Sequence, residues 1–247
     1  MNHRYFRNHR DVRENPYTPN TEAQEVAAEY CEIMGFPPPQ PFPYTEPSAA
    51  TEKELAVIFE NTPDQSDEER VRSAYAEMLK QIKVQWSILP VKIEAFGDDF
   101  VPYKDSPAMM DDVIKNHHLW VYDGGADHTL MTRKENFQFR ACHDFFGHCQ
   151  KGFAFGPKGE FNAFQEHCEM FSPRARRALA CETRAQQAWV VRGPYGHLPI
   201  TERPYAEQKS IWIPDKFCTT PQLQKAYADY PDFFPPVTES NPRRRSR

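Results

Sequence analysis

The feature that most constrains this chain is the run from Arg140 to His148, in which two histidines interrupt an apolar, aromatic segment with the character of a helix. Imidazole is the side chain that binds a transition metal at neutral pH without carrying charge. Two imidazoles and one carboxylate form the triad that holds non-haem Fe(II) with open coordination positions. The chain therefore either buries His143 and His148 as structural core residues or folds around a metal.

The spacing of the two histidines sets a geometric condition. Five positions on an ideal α-helix correspond to a rotation of about 500°, so the side chains of His143 and His148 would diverge by about 140°. Both can reach one ion only if the helix ends or bends between them, and Gly147 permits that. Asp144 and His148, four positions apart, share a face.

A third ligand has to come from a later segment. Three acidic residues on the next predicted helices are candidates, namely Glu166, Glu169 and Glu182. Glu182 follows Ala180 and Cys181, and this small, apolar setting indicates a buried carboxylate rather than a surface charge. We predict that His143, His148 and Glu182 bind the metal and that Asp144 orients a ligand or a bound water.

The run His143-Asp144-Phe145-Phe146-Gly147-His148 resembles the His-Glu-x-x-Gly-His iron motif of the aromatic amino acid hydroxylases, with Asp144 where that family has Glu. The resemblance covers roughly residues 137–190. It implies Fe(II) held by His143, His148 and Glu182, with reduced pterin and O2 as cosubstrates. Cys149 and Gln150 stand where the family has its proline, and no residues match the pterin loop. The resemblance thus supports the metal triad better than pterin or an aromatic substrate.

Two other functions are compatible with the sequence. A metal-dependent hydrolase of the His-Asp type would use His143 and Asp144 with His117, His118 or His128 as further ligands, and would activate water. A non-enzymatic interaction protein would use its basic ends and Pro-rich segment to bind a partner. The leading hypothesis is an oxygenase that acts on a small molecule, with aromatic compounds as one candidate class.

Other residues near the motif have less specific patterns. Four cysteines adjoin the candidate ligands, and we expect them to be small buried apolar residues because adjacent helical positions point about 100° apart. Three arginines could hold a substrate carboxylate, and one tryptophan could line the pocket or pack in the core. These residues are Cys142, Cys149, Cys168 and Cys181; Arg133, Arg140 and Arg184; and Trp189.

The periodicity of apolar residues predicts a mostly α fold with minor β structure, as a single compact helical domain over residues 21–235. Helices are expected at 21–34, 51–60, 135–148, 161–171, 172–191, 205–211 and 221–227, and a capping box at Ser66 predicts another helix to about 89. Short strands are expected at 91–96 and 118–122. The Pro-rich segment 36–48 is expected to be extended, and 156–159 to be a loop.

Composition limits the remaining possibilities. A net charge of −5 and an isoelectric point near 6 do not indicate extensive nucleic-acid binding. The ends are basic, so the expected tails 1–20 and 236–247 are either solvated or in contact with an anionic partner. No apolar run approaches the roughly 20 residues that span a bilayer, and the first residues lack the apolar core of a secretory signal. Six cysteines without a Cys-x-x-Cys pair favour a reducing, cytoplasmic setting.

Overall fold

The computed structural model describes residues 16–125, 127–220 and 223. The arginines of the expected basic tails lie outside the described residues, as does most of a helix expected from Pro221 onwards. The described chain forms α1 (Thr21–Met34), α2 (Ala49–Asn61), α3 (Glu69–Ser87), β1 (Lys92–Phe96), α4 (Ser106–Asn116), β2 (His118–Tyr122), α5 (Arg133–Cys142), α6 (Pro157–Cys168), α7 (Ala175–Ala180) and α8 (Gln186–Arg192).

Two π-helical segments continue the α-helices without a break. The first, π1 (His143–Cys149), follows α5, and the second, π2 (Cys181–Ala185), joins α7 to α8. The predicted mostly α fold with minor β structure is confirmed. The chain is helical at these two places, as expected. The helices are not regular α-helices throughout, however, because their hydrogen bonds here join residues i and i+5.

The beginning of the fold follows its local sequence signals. The side chain of Asn20 accepts a hydrogen bond from the backbone of Ala23, and α1 ends at Gly35 with a left-handed φ of 67°. The segment 36–48 has no regular structure, as its prolines predict. Asn162 of α6 holds this segment, because its side-chain amide bonds both the N–H and the C=O of Thr45 (3.2 and 2.9 Å).

The predicted start of α3 is wrong. Ser66 does not cap the helix, because its hydroxyl bonds the carboxylate of Asp64; Glu68 stands at the cap, and α3 begins at Glu69. The inward face of α3 carries the expected apolar stripe, including Tyr75 and Met78. It also buries two amides, Gln81 and Gln85, and Gln85 is important for the site described below.

The sheet has two parallel strands, with Lys92 opposite His118 and Phe96 opposite Tyr122. The helix α4 connects them, as a parallel pair requires.

The expected helix at 205–211 is wrong. That segment has no regular secondary structure, because Ser210 bonds residues 64–65 through both its N–H (2.7 Å to Asp64) and its C=O (2.8 Å from Gln65).

The expected loop at 156–159 is also wrong, since Gly156 caps α6 and Pro157 takes its first position. The core is one continuous set of buried apolar side chains that extends from α1 to Leu223 and includes residues of β2 and of both π segments, and the partly buried Ile93 of β1 packs against it. Among the described residues, no helix is both long and apolar enough to cross a membrane.

The start of α6 packs against backbone, and this packing gives a test. A β-carbon at Gly159 would collide with the carbonyl of Ala154, whereas one at Gly97 would meet nothing within 4 Å. We expect Gly159→Ala to lower the free energy of unfolding by about 1–3 kcal/mol and Gly97→Ala to change it by less than about 0.5 kcal/mol. Urea denaturation of the two variants measures both values. Equal stability of the variants would contradict the close packing at Gly159.

Candidate metal centre

The segment π1 resolves the geometric condition set by the spacing of the two histidines. In a π-helix the hydrogen bond joins residues i and i+5, so residues five apart lie close to one another along the axis. His143 and His148 are such a pair, and their ring centroids are 5.2 Å apart. The expected convergence of the two imidazoles is therefore achieved by a change of helix type and not by an end of the helix at Gly147.

Glu160, in the first turn of α6, completes the cluster. Its Oε2 atom lies 3.5 Å from Nε2 of His148 and 4.0 Å from Nε2 of His143. One ligand atom from each of the three residues lies within 4.8 Å of the other two. Both histidines are buried, and the side chain of Glu160 is 18% exposed. Two imidazoles and one carboxylate thus meet at one point, and a modest contraction would suit the roughly 2.0–2.2 Å bonds of a divalent transition metal.

The hydrogen bonds of His148 leave the correct nitrogen available. Its Nδ1 lies 2.9 Å from the carbonyl oxygen of Phe153, which can only accept, so Nδ1 carries the proton. In the neutral imidazole, Nε2 then has a free lone pair that faces Glu160. A backbone carbonyl that orients a histidine in this way is typical of metal ligands.

His143 is oriented by a chain of hydrogen bonds that begins on α3. Oε1 of Gln85 accepts from Nε2 of His167 (2.8 Å), so the other ring nitrogen of His167 is an acceptor. Nδ1 of His143 lies 3.2 Å from this Nδ1 of His167 and donates to it. Nε2 of His143 is therefore unprotonated, and it is buried without a hydrogen-bond partner among the described residues. We call Gln85, His167 and His143 the histidine relay.

The electrostatics agree with this assignment for His143 and His167. Burial lowers the pKa of His143, and it lowers the pKa of His167 well below its usual range, so both imidazoles are neutral. Burial also opposes a charge on His148, but the Glu160 carboxylate outweighs burial and raises the pKa of His148. Burial opposes ionisation of Glu160 as well, yet the two imidazoles lower its pKa to about 2. Glu160 is thus an anion that a positive charge in this position stabilises.

Asp144 stands beside the cluster and is partly exposed; its predicted role in orienting a ligand or a bound water stays a prediction. Burial raises its pKa to about 7, with a smaller contribution from the neighbouring charge on Glu160. Its carboxyl group also interacts electrostatically with His148 and Arg140. A carboxyl group that titrates near neutrality beside a candidate metal centre can hold or release a proton at working pH.

The structure does not bring Glu182 into this cluster. The residue lies on π2, where its carboxylate accepts hydrogen bonds from the hydroxyl of Tyr75, from Nε2 of His128 (3.0 Å) and from the amide of Gln186 (3.0 Å). Nδ1 of His128 accepts from the backbone of Leu130 and Met131, so Nε2 must be the donor. The side chain of Glu182 is only 4% exposed, and its oxygens are engaged by donors.

The other candidate carboxylates also lie apart from the histidine pair. Both oxygens of Glu166 are buried without a hydrogen bond among the described residues, and burial raises the pKa of Glu166 to about 8. Glu169 accepts from the backbone N–H of Gln40, and burial raises its pKa to about 7. Neither belongs to the cluster of ligand atoms.

The arginines and the tryptophan near the motif make structural contacts. Arg133 bonds Asp123, Arg140 bonds the carbonyls of Tyr122 and Gly124, and Arg184 bonds Glu52 and the carbonyl of Phe217. Trp189 is buried and donates to Glu60. All six cysteines are buried and unpaired, and burial raises the pKa of their thiols, as expected for small core residues.

The sequence gives only a weak signal for Glu160. Glu160 comes three positions after Pro157, and an acid in the first turn of a helix is usually a favourable partner for the helix dipole. Because 156–159 was expected to be a loop, Glu160 was not recognised as a residue in the first turn of a helix.

Comparison of the chain with family models, with curated proteins and with solved structures gives no match. The resemblance to the aromatic amino acid hydroxylases stays a prediction.

The assignment of the carboxylate can be tested by a matched pair of substitutions. We expect Glu160→Gln to weaken binding of Fe(II) or Co(II) by more than the roughly 10–100-fold that is typical for loss of a group that only orients a ligand. Glu182→Gln should leave metal affinity within about threefold and lower stability, because its new NH2 group would face donors. Equilibrium metal titration and thermal unfolding measure both effects. The reverse order of affinities would restore Glu182 as the ligand.

The histidine relay predicts an effect at a distance from the ligand atoms. Gln85→Leu removes the acceptor that fixes the tautomer of His167, so His143 loses its orientation and metal affinity should fall by roughly 10–100-fold. Gln81→Leu is the matched control, because Gln81 is buried one turn earlier on α3 and bonds Ser172 instead of His167. Anaerobic Co(II) titrations of both variants test the relay. Equal losses of affinity would mean that the effect is general destabilisation.

Proposed function

We propose that the chain is a mononuclear non-haem Fe(II) oxygenase in which His143, His148 and Glu160 bind the metal. One observation carries the proposal: two buried imidazoles, each held by a partner at Nδ1, and one carboxylate place a ligand atom each within 4.8 Å of the other two. Fe(II) held by this set of donors would offer adjacent open positions to O2 and an organic molecule. Glu160 takes the place that the sequence analysis gave to Glu182.

The chain's own residues would control access and proton movement. Phe139 stacks on His143, and the ring of Phe155 lies 4.8 Å from the ring of His148, so buried aromatic side chains exclude water from one side of the cluster. Asp144 would hold or release a proton at its carboxyl oxygen, because its pKa is near 7. We propose a small organic substrate, with aromatic molecules as the first class to test. Reduced pterin rests on the sequence resemblance alone.

A hydrolase is the second candidate, and the same two histidines and one carboxylate also suit catalytic zinc. Asp144 favours this reading, since a carboxyl group with a pKa near 7 could accept a proton from water. The additional histidines of a His-Asp hydrolase are engaged elsewhere, however. His117 pairs with Glu22, His118 with Asp112 and Glu94, and His128 with Glu182.

We also propose a cytoplasmic location, because six unpaired thiols are consistent with a reducing compartment.

An oxygen electrode distinguishes the two chemistries. With Fe(II) and a panel of small aromatic and aliphatic metabolites, each with and without a reduced pterin, we expect O2 uptake that depends on iron and on one class of substrate. Glu160→Ala should abolish it, and Glu182→Gln should retain it. Asp144→Asn should bind metal normally but react more slowly, by a factor of roughly 100 or more.

Hydrolysis of phosphate or peptide substrates that requires Zn(II) and proceeds under anaerobic conditions, with no O2 uptake in air, would replace the oxygenase with the hydrolase. Absence of bound metal after anaerobic reconstitution with either ion would reject both and favour the non-enzymatic alternative.

A further inference from the structure

The two strands of the sheet have edges of different character. The backbone N–H of Lys92 donates to the carbonyl of His117 (2.8 Å), and the backbone N–H of Asp123 donates to the carbonyl of Phe96 (2.9 Å). Successive residues of a strand direct their backbone groups to alternate sides. The even-numbered residues of β1 therefore bond β2, and Ile93 and Ala95 direct their N–H and C=O groups away from it.

The outer edge of β2 is occupied by side chains of the same chain. The N–H of Trp120 donates to the hydroxyl of Tyr103 (2.8 Å), and the carbonyl of Tyr122 accepts from Arg140 (2.9 Å). On β1, by contrast, the outward backbone groups of Ile93 and Ala95 have no hydrogen-bond partner within the described residues. Ala95 is exposed. An uncovered edge of this kind is a template for another strand.

The side chains beside this edge are complementary to themselves. Lys92 and Glu94 lie on one face of β1, 3.1 Å apart, and their side chains are 70% and 39% exposed. If a second copy of β1 adds in the antiparallel direction about a two-fold axis at Ile93, each Lys92 stands opposite Glu94 of the other copy. The two Ile93 residues exchange both backbone hydrogen bonds, which makes Lys92 and Glu94 a non-hydrogen-bonded pair with closely spaced side chains.

We propose that the protein forms a symmetric homodimer in which β1 pairs antiparallel with β1 of a second copy, giving a continuous four-stranded sheet. A two-fold interface uses the same patch on both chains. Here Lys92 of each copy faces Glu94 of the other, so the symmetry gives two identical ion pairs. The interface is independent of the proposed metal chemistry.

Sedimentation equilibrium over a range of concentrations tests the dimer in the full-length protein. Lys92→Glu and Glu94→Lys each place like charges opposite one another at two equivalent positions, so we expect each to raise the dimer Kd by roughly tenfold. The double variant Lys92→Glu/Glu94→Lys restores opposite charges and should return the Kd to near the wild-type value. Lys80→Glu, the same charge change at an exposed position of α3, is the control and should have no effect.

Ala95→Pro gives a second, backbone-based test. It removes one outward N–H without touching the bonds between β1 and β2, and an edge strand tolerates proline. We expect a folded monomer with unchanged metal binding and circular dichroism. A monomeric wild-type protein at all concentrations would overturn the proposal. So would a dimer that is indifferent to Ala95→Pro, or one that the double charge reversal fails to restore.

Discussion

The candidate site depends on the hydrogen-bond pattern of π1. On a regular α-helix His143 and His148 would point in directions about 140° apart and could not bind one ion. The change to i→i+5 bonding places them together. Gly147 is part of the same arrangement, since a β-carbon there would come within 3.0 Å of the His143 ring and 3.1 Å of the Ala163 carbonyl. The residue between the ligands is thus small because the imidazole of one ligand and the backbone of α6 both approach it.

Helix packing and the chemistry of the site are connected through the histidine relay. Gln85 comes from α3, His167 from α6 and His143 from π1, so the tautomer of one candidate ligand is fixed by the relative positions of three helices. Because these groups are buried, each unpaired donor or acceptor would cost about 1–3 kcal/mol. This cost makes the arrangement specific. If a shift of α3 broke the bond from His167 to Gln85, the tautomer of His167 would no longer be fixed, and the proton of His143 would no longer be held on Nδ1.

Periodicity and turn signals predicted most of the fold. The helix at 21–34 with its Gly35 cap and the two short strands follow from local sequence, because each has a regular apolar pattern and a local end signal. Local sequence could not show that Ser66 fails to cap a helix or that 205–211 is not helical, because Asp64 engages the Ser66 hydroxyl and contacts with distant residues hold Ser210. The histidine pair was recognisable by residue type. Its helix type and the carboxylate that meets it depend on how α6 packs against π1.

The contrast between Glu160 and Glu182 shows why burial alone is a poor guide to a ligand. Both carboxylates are largely removed from water, and both lie next to a histidine. Glu182 is surrounded by groups that donate, namely the Tyr75 hydroxyl, the Gln186 amide and the protonated Nε2 of His128, so its charge is already compensated by hydrogen bonds. Glu160 faces two ring nitrogens that have no other partner among the described residues, so its charge is balanced either by a proton on His148, whose pKa it raises, or by a bound cation. The difference lies in which ring nitrogen carries the proton, and that is decided by Phe153 and His167 on one side and by the backbone of Leu130 and Met131 on the other.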